Sequence, residues 1–224
     1  MAAWPICLGY IPIGLAFGIL AQKAGLHPIE IGLMSLLVFA GSSQFIAVSM
    51  LSSAAGAAPI IVTTFLVNLR HFLMSSSLAI YLGGVKRGML SLFAYGVTDE
   101  SFAVNLSKFR DKDWGITRAF VVNHAPNVTW ITCTVIGGYS GQFIPAGAFG
   151  IDYALTAMFI CLLVLQLRGR KYVVTAVMAG ALAVVLSLVL SGNSYIVLAS
   201  IVAATLGIIF TKVNTKVNRK RVNV

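Results

Sequence analysis

The sequence has 224 residues, of which 58% are hydrophobic and 10% charged, with a mean hydropathy of +0.93. That balance excludes an ordinary soluble domain, and apolar runs long enough for a hydrocarbon core of about 30 Å, roughly 20 residues each, recur along the chain, which excludes one soluble core on a single anchor. Lysine and arginine exceed the acids by ten, but the excess sits in short loops and the tail, where it sets membrane topology, so it is not read as a nucleic-acid footprint.

In chain order the expected spans are 4–22, 29–53, 58–82, 89–107, 117–139, 149–167, 172–190 and 194–211, giving an all-α polytopic bundle of seven or eight transmembrane segments. The first run starts without the basic leader or small-residue cleavage site of a removable signal peptide, so it reads as a permanent span. It holds Pro5, Gly9, Pro12, Gly14 and Gly18, and proline removes a ladder hydrogen bond, so a kinked or broken helix is expected there. Cys7, Cys133 and Cys161 lie inside hydrophobic runs without metal-site or disulfide spacing and read as small buried residues. The organisation expected is one transmembrane domain over 1–211 and a basic cytoplasmic tail, 212–224. A cytoplasmic tail also puts "LRGRKY" (167–172) and "SKFRDKDWGITR" (107–118) inside, but it leaves Lys86–Arg87 outside. Either that loop is an exception, or a stretch between 29 and 82 is re-entrant.

A faint internal repeat runs through the first 140 residues. "FAGSSQFIAVS" (39–49) lies over "YGVTDESFAVN" (95–105), "VN" at 67–68 recurs at 122–123, and "GG" at 83–84 recurs at 137–138, which outlines two-span units 37–84 and 93–139. Two full crossings per unit make the copies parallel, whereas the inverted repeats of many transporters need an odd number. Four polar clusters fall at matching places. "GSSQF" contributes Ser43 and Gln44, as packing residues or as a site. "TDE" contributes Asp99 and Glu100, and since each carboxylate at mid-membrane costs roughly 2.5–3.5 kcal/mol, the pair needs a salt bridge, a cavity or protonation. "NLRHF" contributes Asn68, Arg70 and His71, with Arg70 as the counter-charge for an acid or the holder of a ligand carboxylate. "NHAPN" contributes Asn123, His124 and Asn127, with His71 and His124 either packed or acting as proton relays. The inventory suits a small zwitterion. No H-E-x-x-H, G-x-S-x-G or nucleotide-binding loop occurs, so neither an intramembrane enzyme nor an ATP-driven pump is expected, and a passive pore for small polar solutes is the alternative.

The wording of four of these stretches, "GYIPIGLAFGILAQKAG", "FAGSSQFIAV", "NLRHFLMSSSLAIYL" and "GVTDESFAV", in that order and spacing, resembles the AzlC family of branched-chain amino acid exporters. The resemblance implies a multi-pass permease of the bacterial inner membrane exporting valine, leucine or isoleucine beside a small hydrophobic AzlD-like membrane subunit. No metal or other cofactor is expected from the residues. Residue roles are not carried by the resemblance. From their chemistry alone, Ser43, Gln44, Asn68, Arg70, Asn123 and Asn127 are expected to bind substrate, and Asp99, Glu100, His71 and His124 to couple protons.

Overall fold

A computed structural model describes residues 2–111, 114–145 and 170–189, with isolated positions at 153, 156, 157, 160, 164, 202 and 205. The chain divides into two compact units, Met1–Met158 and Phe159–Val224. All regular structure among the described residues is helical. In the first unit α1 (Trp4–Lys23), α2 (Pro28–Val38), α3 (Gly41–Ser52), α4 (Ala57–Ala79), α5 (Arg87–Tyr95), α6 (Asp99–Arg110) and α7 (Ile116–Ser140) end in a short 3-10 turn, Gly141–Phe143. In the second unit α8 covers Arg170–Val189. The expected spans 149–167 and 194–211, Cys161 and the tail 212–224 lie almost wholly outside the described residues.

Three expected spans of the first unit are single helices, α1, α4 and α7; the other two, 29–53 and 89–107, are each two short helices folded back on themselves. The side chains make this plain. Gln44 of α3 donates through Nε2 to Ser35 Oγ of α2 at 3.1 Å, and Ile31 and Val48, on opposite limbs, share one core cluster with Phe17 and Ala21. Likewise Asn123 of α7 donates to the Phe93 carbonyl of α5 at 3.1 Å and accepts from Asn105 of α6 at 2.9 Å. At about 1.5 Å of rise per residue, a straight helix would hold residues 93 and 105 roughly 18 Å apart, beyond the reach of one asparagine.

The turns explain why the chain reverses where it does. Phe39 ends α2 in the left-handed region at φ 36°, a conformation costly for a bulky residue and retained where the surroundings over-determine it. Thr98 starts α6 as an N-cap in a capping box with Ser101, so residues 96–98 cannot continue α5. The break expected in the first span is absent. α1 runs unbroken from Trp4 to Lys23 with Pro5 in its first turn, where no donor is needed, and with Pro12 on an exposed face.

The glycines of α1 serve packing. α1 and α7 run parallel, and a Cβ on Gly18 would run into the Thr134 carbonyl and come 2.6 Å from Gly138 N; one on Gly137 would strike the Leu15 carbonyl. Gly14–Gly18 and Gly137–Gly141 are therefore facing small-xxx-small pairs that let two backbones touch. On this frame the two hairpins hang from opposite ends. α2–α3 packs at the end where α1 and α7 finish, with Pro28 near Gly138. α5–α6 packs at the end where α7 begins: Tyr81, just past α4, stacks on Phe109 of α6 with centroids 5.2 Å apart, in a cluster with Val85, Trp114 and Ile116. Lys86, Arg87, Lys108, Arg110 and Arg118 accordingly gather at one end of the unit, whereas Lys23, His27 and Glu30 mark the other.

Candidate functional site

The hairpin tips meet at mid-height, and α4 supplies the residue between them. Arg70 Nη1 lies 2.7 Å from Asp99 Oδ2, at the first turn of α6, and Nη2 donates to Ser42 Oγ, in the first turn of α3. One guanidinium thus ties the starts of two half-helices, as its planar fork permits. The helix dipole explains the acids' position: Asp99 and Glu100 occupy the positive end of α6. Arg70 and Asp99 are 29% and 32% exposed, so this ion pair is open on one side and is not sealed in a core. It is the one salt bridge among the described residues.

The two adjacent acids part company. Glu100 Oε2 accepts from the hydroxyl of Tyr10 on α1 at 2.8 Å, and Tyr10 itself packs edge-on against Trp130 of α7 at 5.4 Å. His71 is within electrostatic reach of both Arg70 and Asp99. Asn68 Oδ1 and Arg70 Nε are buried without hydrogen-bond partners. A buried polar atom left unpaired costs about 1–3 kcal/mol, so each of these atoms gains from an incoming polar partner.

The other predicted residues are held elsewhere. Gln44 is fully engaged, accepting from Trp130 Nε1 at 2.9 Å and donating to Ser35, which also accepts from Thr134 at 2.9 Å. Ser43 donates to the Ala40 carbonyl at 2.9 Å, closing the tip of the first hairpin. Asn123 belongs to the buried lattice of Phe93, Asn105 and Trp114 that clamps the second hairpin to α7. Asn127 donates to Tyr95 Oη at 3.1 Å, and that hydroxyl donates on to the Leu36 carbonyl, so Tyr95 joins the two tips. His124 stacks on Phe120 with centroids 5.4 Å apart and lines the underside of the second tip, against Gly96. Because the Phe120 carbonyl 3.1 Å from Nδ1 can only accept, Nδ1 carries a proton, and Nε2 is buried without a partner.

The structure thus brings Ser42, Arg70 and Asp99 together, with His71 within electrostatic reach and Glu100 beside them; it leaves Asn68 on the same helix as Arg70, and distributes Ser43, Gln44, Asn123 and Asn127 through the tips and their clamps. Sequence reasoning missed Tyr10, Tyr95, Ser35 and Asn105. Tyrosine hydroxyls and lone amides in lipid-like runs are the signal, since each must find a partner there. No cluster of three or more metal-binding side chains occurs among the described residues.

Comparison with known proteins agrees with the resemblance noted in the motifs. The AzlC protein family profile matches residues 5–144, nearly all of the first unit. The chain is 31% identical over 210 residues, 92% of its length and 80% of the relative's, to the branched-chain amino acid transport protein AzlC of Bacillus subtilis. It is 31% identical over 187 residues to the inner membrane protein YgaZ of Escherichia coli, covering 80% of the chain and 76% of YgaZ. An uncharacterized membrane protein of Archaeoglobus fulgidus is 33% identical over 184 residues, 81% of this chain and 80% of that one. No solved structure matches. The chain belongs to the AzlC family, a family of membrane transport proteins.

Proposed function

We propose that the chain is a secondary transporter that moves branched-chain amino acids outward across a bacterial inner membrane, coupled to protons and working with a small AzlD-like membrane subunit. The observation that carries this reading is Arg70, which holds Asp99 and Ser42 at once where two oppositely inserted hairpins meet. Transporters commonly bind at the midplane, at interrupted helices whose N-termini face an anionic group. A substrate carboxylate competes with Asp99 for the guanidinium and for the unpaired Arg70 Nε. The ammonium is taken by Asn68 Oδ1 and a carboxylate, and the aliphatic side chain by the surrounding apolar residues. Protonation of Asp99 or Glu100, with His71 and His124 as relays, shifts the balance between inward- and outward-facing states.

The same hairpins support an inverted repeat. Each of Pro28–Ala79 and Arg87–Ser140 comprises one re-entrant hairpin followed by one long helix, an odd number of crossings, so the copies face opposite ways. This reading replaces the two-crossing unit. It also removes the topological conflict at Lys86–Arg87: a hairpin that enters and leaves at one end keeps that loop on the same side as Lys108, Arg110 and Arg118, and the positive-inside rule makes that side the cytoplasm. The named activity of the Bacillus subtilis relative supports the substrate class.

Valine efflux from cells expressing Arg70→Gln, Asp99→Asn or Glu100→Gln tests the site. A loss of at least tenfold is expected for Arg70→Gln. Near-normal export by all three variants at normal membrane abundance would overturn it. Trans-stimulated exchange of labelled leucine distinguishes a carrier from a pore, and co-purification with the small hydrophobic subunit tests the partner.

A further inference from the structure

A second feature lies away from the hairpin tips, at the basic end of the unit. The start of α1, the end of α6 and the start of α7 line an open groove of about 840 Å³, bordered among others by Trp4, Cys7, Lys108, Trp114, Arg118 and Val121. Its walls are apolar, and its two charges are both cationic. Among the described residues neither Lys108 nor Arg118 makes a salt bridge, and Asp111, at the end of α6, is exposed and pairs with neither. The rim is nevertheless ordered by contacts. Trp114 Nε1 donates to Asn105 Oδ1 at 2.9 Å, tying the ring to the buried lattice of α6 and α7, and the Arg118 guanidinium lies 6.0 Å from the Trp114 ring centroid. Trp4, 63% exposed, forms the opposite wall.

We propose that this groove binds an anionic phospholipid, with the headgroup phosphate between Lys108 and Arg118 and the acyl chains along Trp4, Cys7 and Val121. Charge complementarity selects this occupant. Two unpaired cations at the mouth of an apolar slot match a ligand that is anionic at one end and aliphatic at the other, and two tryptophans stand where amphipathic rings favour the headgroup level. A free anion satisfies the cations but leaves the slot uncovered, and a zwitterionic lipid fills the slot but brings its own cation.

The chain reports on this site through its own fluorescence. Its three tryptophans are Trp4 and Trp114, which line the groove, and Trp130, which is 2% exposed in the core between α1, α3 and α7. The purified full chain is titrated with brominated phosphatidylglycerol or brominated phosphatidylcholine in mixed micelles, and quenching is read as a relative association constant. With each cation contributing about a fivefold preference at a membrane surface, wild type is expected to favour phosphatidylglycerol by roughly 10- to 30-fold. Lys108→Gln/Arg118→Gln is expected to fall to within about twofold of no preference, while Arg87→Gln, at the same end but outside the groove, keeps the wild-type ratio. Size-exclusion profiles matched to wild type keep the comparison to folded protein. Equal quenching by both lipids in wild type, no quenching by either, or an undiminished preference in the double variant would each overturn the assignment. Displacement of the lipid by millimolar glycerol phosphate would equally overturn it, in favour of a simple anion site.

Discussion

Gly18→Ala is the sharpest test of the frame that carries both hairpins. A methyl at this position would meet the Thr134 carbonyl, with Gly138 N at 2.6 Å and Gly137 C at 2.8 Å. Carbon atoms prefer separations near 3.5–4.0 Å, and every one of these neighbours is backbone, which cannot rotate away as a side chain can. The helices must therefore separate by about an ångström along a contact that also includes Gly137 against Leu15 and Gly14 against Cys133 and Trp130. Overpacking of this kind costs about 1–3 kcal/mol, and the upper end applies because the obstruction is backbone. Gly9, on the same helix, has nothing within 4 Å of its Cβ position, so Gly9→Ala is expected to be neutral or to stabilise by up to about 1 kcal/mol through helix propensity. Thermal unfolding of the two variants in detergent, followed by fluorescence-detected size exclusion, compares the same substitution at two sites on one helix. Equal melting temperatures would refute the parallel close packing of α1 and α7.

Cysteine labelling tests the hairpin topology. In a background with Cys7, Cys133 and Cys161 replaced by serine, Arg87→Cys and Arg110→Cys are expected to react with an impermeant maleimide from the same side and Ala55→Cys from the opposite side; labelling of positions 87 and 110 from opposite sides would mean that the segment crosses. Arg70→Gln leaves Asp99 without its partner and is expected to lower stability by about 1 kcal/mol, discounted for partial exposure. Adding Asp99→Asn should restore most of that loss without restoring transport, as unfolding midpoints and efflux of the single and double variants would show. Tyr10→Phe removes the hydrogen bond to Glu100 and should cost about 1 kcal/mol, measured by the same unfolding assay; an unchanged midpoint would mean that Glu100 is held by something other than Tyr10.

Much of this protein is written into local chemistry. Hydropathy located α1, α4 and α7 to within a few residues and enclosed each hairpin in a single apolar run, because lipid demands long apolar runs whatever the fold. The cost of burying charge singled out Arg70, Asp99 and Glu100 as residues in need of partners, and opposite charge made Arg70 a counter-charge for one of the acids; the fold chose Asp99 and gave Glu100 to Tyr10. Hydropathy is blind to direction, however. A run of 25 apolar residues scores alike whether it crosses or turns back, so the reversals at Phe39 and at Gly96–Thr98, and with them the end of the unit at which Lys86 and Arg87 lie, were decided only by the packing of Ile31 with Val48 and of Phe93 and Asn105 around Asn123. The glycines of α1 make the same point: a missing side chain reads equally as a flexible point or as room for a neighbour, and the choice was made by α7 lying against them. Polar side chains in lipid must be satisfied by something, and the sequence determined which ones those are. Which partner each one found, Tyr10 for Glu100 and Trp130 for Gln44, depended on elements 90 and 86 residues away, a distance that only the tertiary fold could close.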